Sequence, residues 1–133
     1  MSQSLKFSIT FEVPAKVIYN ALIDPQEIMK YTRCPCQVQP SVGGQYVILE
    51  GRIIGQFTEL DSQKYIIKMN WKQADWPNDS NVEFTFIDRD DECEVIISQQ
   101  NIPSKVNIEQ LEKGWQAQIF NPMSTICGYP IEK

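Results

Sequence analysis

The chain has 133 residues, 42% of them hydrophobic and 11% aromatic, which is the size and make-up of one folded domain rather than a disordered segment. Seventeen Asp and Glu against twelve Lys and Arg leave a net charge of -5. The basic residues are scattered singly from Lys6 to Lys133, so nucleic acid and anionic membrane surfaces are poor partners. The opening alternates polar with apolar instead of showing an apolar signal block, and no apolar run is long enough to span a bilayer. A single cytosolic domain over residues 1–133 is expected, with Cys34, Cys36, Cys93 and Cys127 as reduced thiols.

Leu5, Phe7, Ile9, Phe11 and Val13 alternate with polar residues, a period-two strand with one buried face. Pro14 then opens a short helix that places Val17, Ile18, Ala21 and Leu22 on one side. A second short helix starts at once, with Asp24 as its cap, Pro25 first and Glu27 third. From Gly43-Gly44 to about Gln100 the pattern becomes short alternating segments: "QYVILEG", "RIIGQFTEL", "KYIIKMNW", "NVEFTFID" and "CEVIISQQ". With the first, these predict about six strands, mostly antiparallel hairpins. Near the end, Ser104 or Asn107 caps a helix whose Ile108, Leu111, Trp115 and Ile119 form one apolar stripe. Pro122 removes a donor and crowds the carbonyl of Gln118, so a kink or an early stop is expected there. The sum is an α+β layout: a curved antiparallel sheet, two short helices after strand one, and a long last helix on the concave face.

Chemistry is hard to place. With no histidine, triads that rely on it and histidine-ligated metals are excluded. "CPC" at Cys34 to Cys36 has neither redox-pair nor zinc spacing, and the acidic run from Asp88 to Glu94 lacks the glycine and twelfth-position glutamate of a calcium loop. No glycine-rich phosphate loop is present, so neither a catalytic residue, a cofactor nor a metal is assigned. The tryptophans say more. Trp71 and Trp115 lie on inward faces. Trp76 sits beside Pro77 in the polar loop "QADWPNDS", either tucked under the sheet edge or offered to a partner.

Taken in order, "GGQYVILEGRIIGQFTELDSQKYIIKMNW", "WP", "IP", "GW" with Phe120, and "GYP" resemble the C-terminal domain of the activator of the heat shock protein 90 ATPase, and "FEVPAKVIYNALIDPQEIMKYT" is similar to that domain's opening. The resemblance runs from about Phe7 to Tyr129. It implies the helix-grip fold of the Bet v 1/START-like superfamily, a heat shock protein 90 chaperone as partner, and a role in favouring that chaperone's closed state without chemistry of its own. The family's N-terminal domain and its tryptophan-histidine motif have no counterpart in this sequence. Met1 favours a free-standing single-domain member over a fragment.

Two further expectations follow. Exposure logic nominates Trp76 and Pro77, with Asp75 and Asp79, as the surface for a basic patch on the partner. The alternative function is a small hydrophobic ligand-binding or carrier protein, with Tyr46, Phe57, Trp71, Trp115 and Phe120 as candidates to line a cavity for an apolar small molecule. Against it, five inward aromatics in so small a domain favour a filled core. An enzyme on the same fold has no named residue to support it.

Overall fold

The computed structural model describes residues 2–132. Strand β1 (Gln3–Phe11) leads into helices α1 (Ala15–Ile23) and α2 (Pro25–Thr32), followed by β2 (Gln37–Val38), β3 (Gln45–Ile48), β4 (Ile53–Asp61), β5 (Ile66–Gln73), β6 (Ser80–Asp88) and β7 (Cys93–Ile102). The chain then enters α3 (Ile108–Trp115), a π-helical turn (Gln116–Phe120) and α4 (Asn121–Thr125). All strands join one antiparallel sheet in the order β1-β7-β6-β5-β4-β3-β2. The sheet therefore has seven strands rather than about six. The extra one, β2, is a two-residue pairing of Gln37 with Val47 and Val38 with Tyr46, too short to leave an alternation in the sequence.

Local chemistry explains the joints. Asp24 caps α2 by accepting from the Gln26 N–H at 2.9 Å. In α1 the position before Ala15 is a proline without a capping side chain, and Asp88 at the end of β6 accepts from the Ala15 N–H instead. Asn107, not Ser104, caps α3 through the Gln110 N–H. Pro122 does not stop the last helix, which continues through it to Thr125. The turn before it widens, so that the Asn121 N–H reaches the carbonyl of Gln116 five residues back, and the proline enters as the opening of α4 where no donor is needed.

The core lies between the sheet and the α3–α4 run. The inward residues of β5 and β6 (Ile67, Met69, Trp71 and Val82, Phe84) meet Leu111, Trp115, Ile119 and Phe120, all buried. Phe57, Phe84 and Phe120 are at most 1% exposed, and each fully buried ring of this kind stabilises the domain by roughly 1.5–3 kcal/mol.

Candidate functional site

The loop from Ala74 to Asp79 joins β5 to β6 and is fixed by its own backbone. The Trp76 N–H donates to the Gln73 carbonyl at 2.9 Å, and Lys72 Nζ donates to the Trp76 carbonyl at 3.3 Å. Asn101, at the end of β7, donates to the Asp79 carbonyl, and Asn78 donates to the Asn101 carbonyl. Here the expectation for Trp76 needs correcting. The residue is 7% exposed and meets Trp71 edge-on at 5.4 Å, so it is tucked under the sheet edge and shows only a small part of its surface to the adjoining groove. Proline after it holds the loop while the indole gains an aromatic neighbour. Asp75, Pro77 and Asp79 are exposed. Asp75 and Pro77 border an open groove of about 1070 Å³ whose far wall is the Asn101–Asn107 connection and the start of α3.

Behind Trp76 the aromatics stack in depth. Trp71 lies on Trp115 at 5.0 Å with the rings 24° apart, and Trp115 continues to Phe120 at 6.2 Å. A buried polar relay crosses this stack: Trp115 Nε1 donates to Gln99 Oε1 (2.9 Å), Gln99 Nε2 donates to Ser80 Oγ (2.9 Å), and Ser80 Oγ donates to the Trp71 carbonyl (2.6 Å). Gln99 and Ser80 are fully buried, which is tolerable because every member is paired. Trp71 is the exception among the described residues, since its Nε1–H is buried without an acceptor.

Of the five residues nominated for a cavity, Trp71 and Trp115 border a small chamber of about 40 Å³ against Ile48, Leu49 and Ile53. Tyr46, Phe57 and Phe120 do not border it. Tyr46 packs edge-on against Phe57, and Phe120 meets Phe7 edge-on and Phe11 at a tilt, so these three fill the core. Sequence reasoning missed Gln99 and Ser80, although each is polar in phase with an apolar face: Gln99 with Val95 and Ile97, Ser80 with Val82 and Phe84.

A second cluster ties the chain's end to α2. Glu27 Oε2 accepts from Lys30 Nζ at 2.8 Å, and Oε1 accepts from the Tyr129 hydroxyl at 2.5 Å. These bonds hold the Glu27 carboxyl below its ordinary 4.5, with Lys30 contributing most. Burial and the same carboxylate push the Tyr129 hydroxyl up. Burial raises the Cys93 thiol to about 11. Among the described residues no group of His, Cys, Asp or Glu is arranged to hold a metal, and no helix is long and apolar enough to cross a membrane.

A curved antiparallel sheet gripping a C-terminal helix, with two short helices after the first strand, defines a helix-grip domain of the Bet v 1/START-like kind. Ara h 8.0201 superposes on it with a TM-score of 0.70 at 11% identity, over 92% of this chain and 95% of that one. More specifically, the family model for Activator of Hsp90 ATPase homolog 1-like protein matches residues 12–127, and the chain belongs to that family. Activator of 90 kDa heat shock protein ATPase homolog 1 from Homo sapiens is 27% identical over 122 residues, covering 90% of this chain and 36% of the relative. The chain thus spans about a third of the length of the curated relatives it matches. A crystal structure described as an HSP90 activator from Plasmodium falciparum has a TM-score of 0.89 and 27% identity, covering 97% of this chain and 99% of that one.

Proposed function

We propose that this chain is a co-chaperone-like binding module that engages the cytoplasmic heat shock protein 90 chaperone and favours its closed, ATPase-competent state. The end-to-end match with the Plasmodium falciparum activator carries this reading, because there the shared unit is the whole solved chain. Such a module needs no catalytic group. It accelerates ATP hydrolysis by binding the closed state more tightly than the open one, and it shifts the equilibrium only by that difference.

The proposed contact rim is Pro77 with the carboxylates of Asp75 and Asp79, exposed on a loop whose backbone is held by Asn78, Asn101 and Lys72. A rigid acidic rim suits a basic patch and steers encounter more than it adds affinity. The role of Trp76 is to anchor this loop from beneath. The test is a titration of the protein into the chaperone, reading binding and ATP turnover together, with and without the non-hydrolysable nucleotide that holds the closed state. Binding that strengthens with closure supports the proposal, and equal binding to both states sinks it. Charge reversal of Asp75 and Asp79 to lysine weakens binding with the melting temperature unchanged; undiminished binding moves the contact elsewhere on the domain.

A further inference from the structure

Strand β1 forms one edge of the sheet, and the chain's own tail covers only one end of it. Past α4 the chain runs back along β1: Ile131 bridges Phe11, the Glu12 N–H donates to the Pro130 carbonyl at 2.7 Å, and the Glu132 N–H donates to the Thr10 carbonyl at 2.8 Å. Those two bonds fix which way the strand faces. With the main-chain groups of Thr10 and Glu12 turned out from the edge, alternation turns those of Ser8 and Lys6 out as well, and those of Phe7 and Ile9 toward β7. Outside the β1–β7 ladder, from which they point away, the N–H and C=O of Ser8 and Lys6 have no main-chain partner among the described residues. Burial marks the same gap. On the core-facing side Leu5 and Phe11 are buried, whereas Phe7 and Ile9 between them are only half-buried. The two ends of the strand are tied down, one by Ile131 and the other by Gln3, whose Nε2 donates to the carbonyls of Pro103, Ser104 and Val106. The middle is bare.

Exposed edges are ordinarily blunted by proline, a bulge or an inward charge. Between Leu5 and Phe11, β1 has no proline and no register shift, and its one charge is that of the exposed, outward Lys6. Beside the bare stretch lies an open pit of about 320 Å³, bordered by Ile9, by Ile131 of the tail, and by Gln116 and Asn121 of the last helical run. We propose that this edge binds a short extended segment of a partner protein, laid antiparallel to β1 in continuation of the tail. Its carboxylate side chain lies beside Lys6 on the outer face, and its small aliphatic side chains lie against Phe7 and toward the pit on the inner one. A second copy of this chain fits less well: pairing centred on the bare stretch sets Lys6 opposite Lys6, and like charges directly opposite destabilise a sheet. The edge shares no residue with the Asp75–Asp79 rim, so the inference stands apart from the chaperone reading.

The probe is the peptide acetyl-Thr-Val-Glu-Val-Thr-amide, titrated into the uniformly 15N-labelled full chain up to about 10 mM, because a few backbone bonds to a flexible peptide support roughly millimolar affinity. Its first threonine stands opposite Ser8 and its glutamate opposite Lys6. The Ser8 and Lys6 amide cross-peaks move downfield saturably and exchange with solvent more slowly. N-methylation of the glutamate removes the donor to the Lys6 carbonyl and weakens binding roughly tenfold, whereas N-methylation of the first valine, whose N–H points away from β1, weakens it far less. Ser8→Pro deletes an N–H that the β1–β7 ladder does not use, so binding is lost while the amide spectrum stays dispersed. Ser8 and Lys6 peaks that stay fixed at the highest concentration overturn the site. Equal loss from the two N-methylations overturns strand addition as the mode of binding. Protection of both amides without peptide, together with a dimeric mass in light scattering, puts a second copy on the edge and overturns the peptide as its occupant. No chaperone is present in the assay, so its failure leaves the co-chaperone reading standing, and the reverse holds too.

Discussion

Trp71 and Trp115 offer a controlled comparison. Each is 4% exposed, and the two stack on each other, so Trp→Phe deletes the same atoms from neighbouring positions and leaves similar transfer and cavity costs. They differ in one bond. Trp115 Nε1 donates to Gln99 Oε1 at 2.9 Å, whereas Trp71 Nε1 has no protein acceptor. Trp115→Phe strands a buried amide oxygen, and that asymmetry makes it about 1–3 kcal/mol more destabilising than Trp71→Phe. For a chain of this length a kilocalorie moves Tm by roughly 3–4 °C, so the two variants separate by several degrees. Urea unfolding with an unchanged m-value gives the same difference at fixed temperature. Adding Gln99→Leu to Trp115→Phe removes the stranded group and restores part of the loss, because Ser80 keeps its bond to the Trp71 carbonyl. Equal costs for the two single variants, within about 0.5 kcal/mol, would refute the claim that the relay stabilises the core.

Trp76→Ala costs about 3–5 kcal/mol, the range for emptying a buried aromatic site, and a thermal melt checks it; an unchanged midpoint would return the ring to the surface. The Glu27 carboxyl is held below 4.5 by Lys30 and Tyr129, so below that value the unfolded state binds the extra proton first. Its stabilisation is full above 4.5 and is lost as pH falls through the lowered folded value. Tyr129→Phe removes one of the two bonds, lets the folded value climb toward 4.5, and shrinks the acid-induced drop in urea midpoint; an unaltered pH profile refutes the assignment. Cys93 is fully buried, with its thiol pushed to about 11. At neutral pH it reacts with an aromatic disulfide reagent only at the rate of unfolding, which stopped-flow absorbance separates from the half-buried Cys34, Cys36 and Cys127.

Period-two alternation made the long strands and their inward faces legible, because burying one face of a sheet forces that pattern. Helix stripes and the Asp24 cap were legible from local sequence, whereas Ser104 and Asn107 both offered a cap for α3 and only the fold chooses Asn107. Features set by distant partners were not. Glu27 stands third in α2, as a capping glutamate would, yet it turns to Tyr129, 102 residues away. Trp76 had two readings, and only the position of Trp71 beneath it chooses between them. Pro122 signalled disruption, and tertiary packing of Ile119 and Phe120 kept the helix going by widening one turn. The relay was half visible, since a glutamine in phase with valine and isoleucine announces a buried amide, but its partner on another strand needed the register of β6 with β7.

On the proposed reading, the chain's length bears on how its activity would look. Stimulation by preferential binding has a plateau set by the ratio of affinities for closed and open chaperone, and a midpoint set by the affinities themselves. A second linked binding unit raises effective concentration and so moves the midpoint by a factor of about 10²–10⁴ without altering the ratio contributed by the first. This chain corresponds to 36% of the human relative. Titrated side by side on one chaperone, the two should therefore reach the same plateau, with this chain needing the higher concentration, if the preference for closure resides in the shared domain. A lower plateau for this chain at saturation would place that preference in the rest of the relative and reduce the helix-grip unit to a tether.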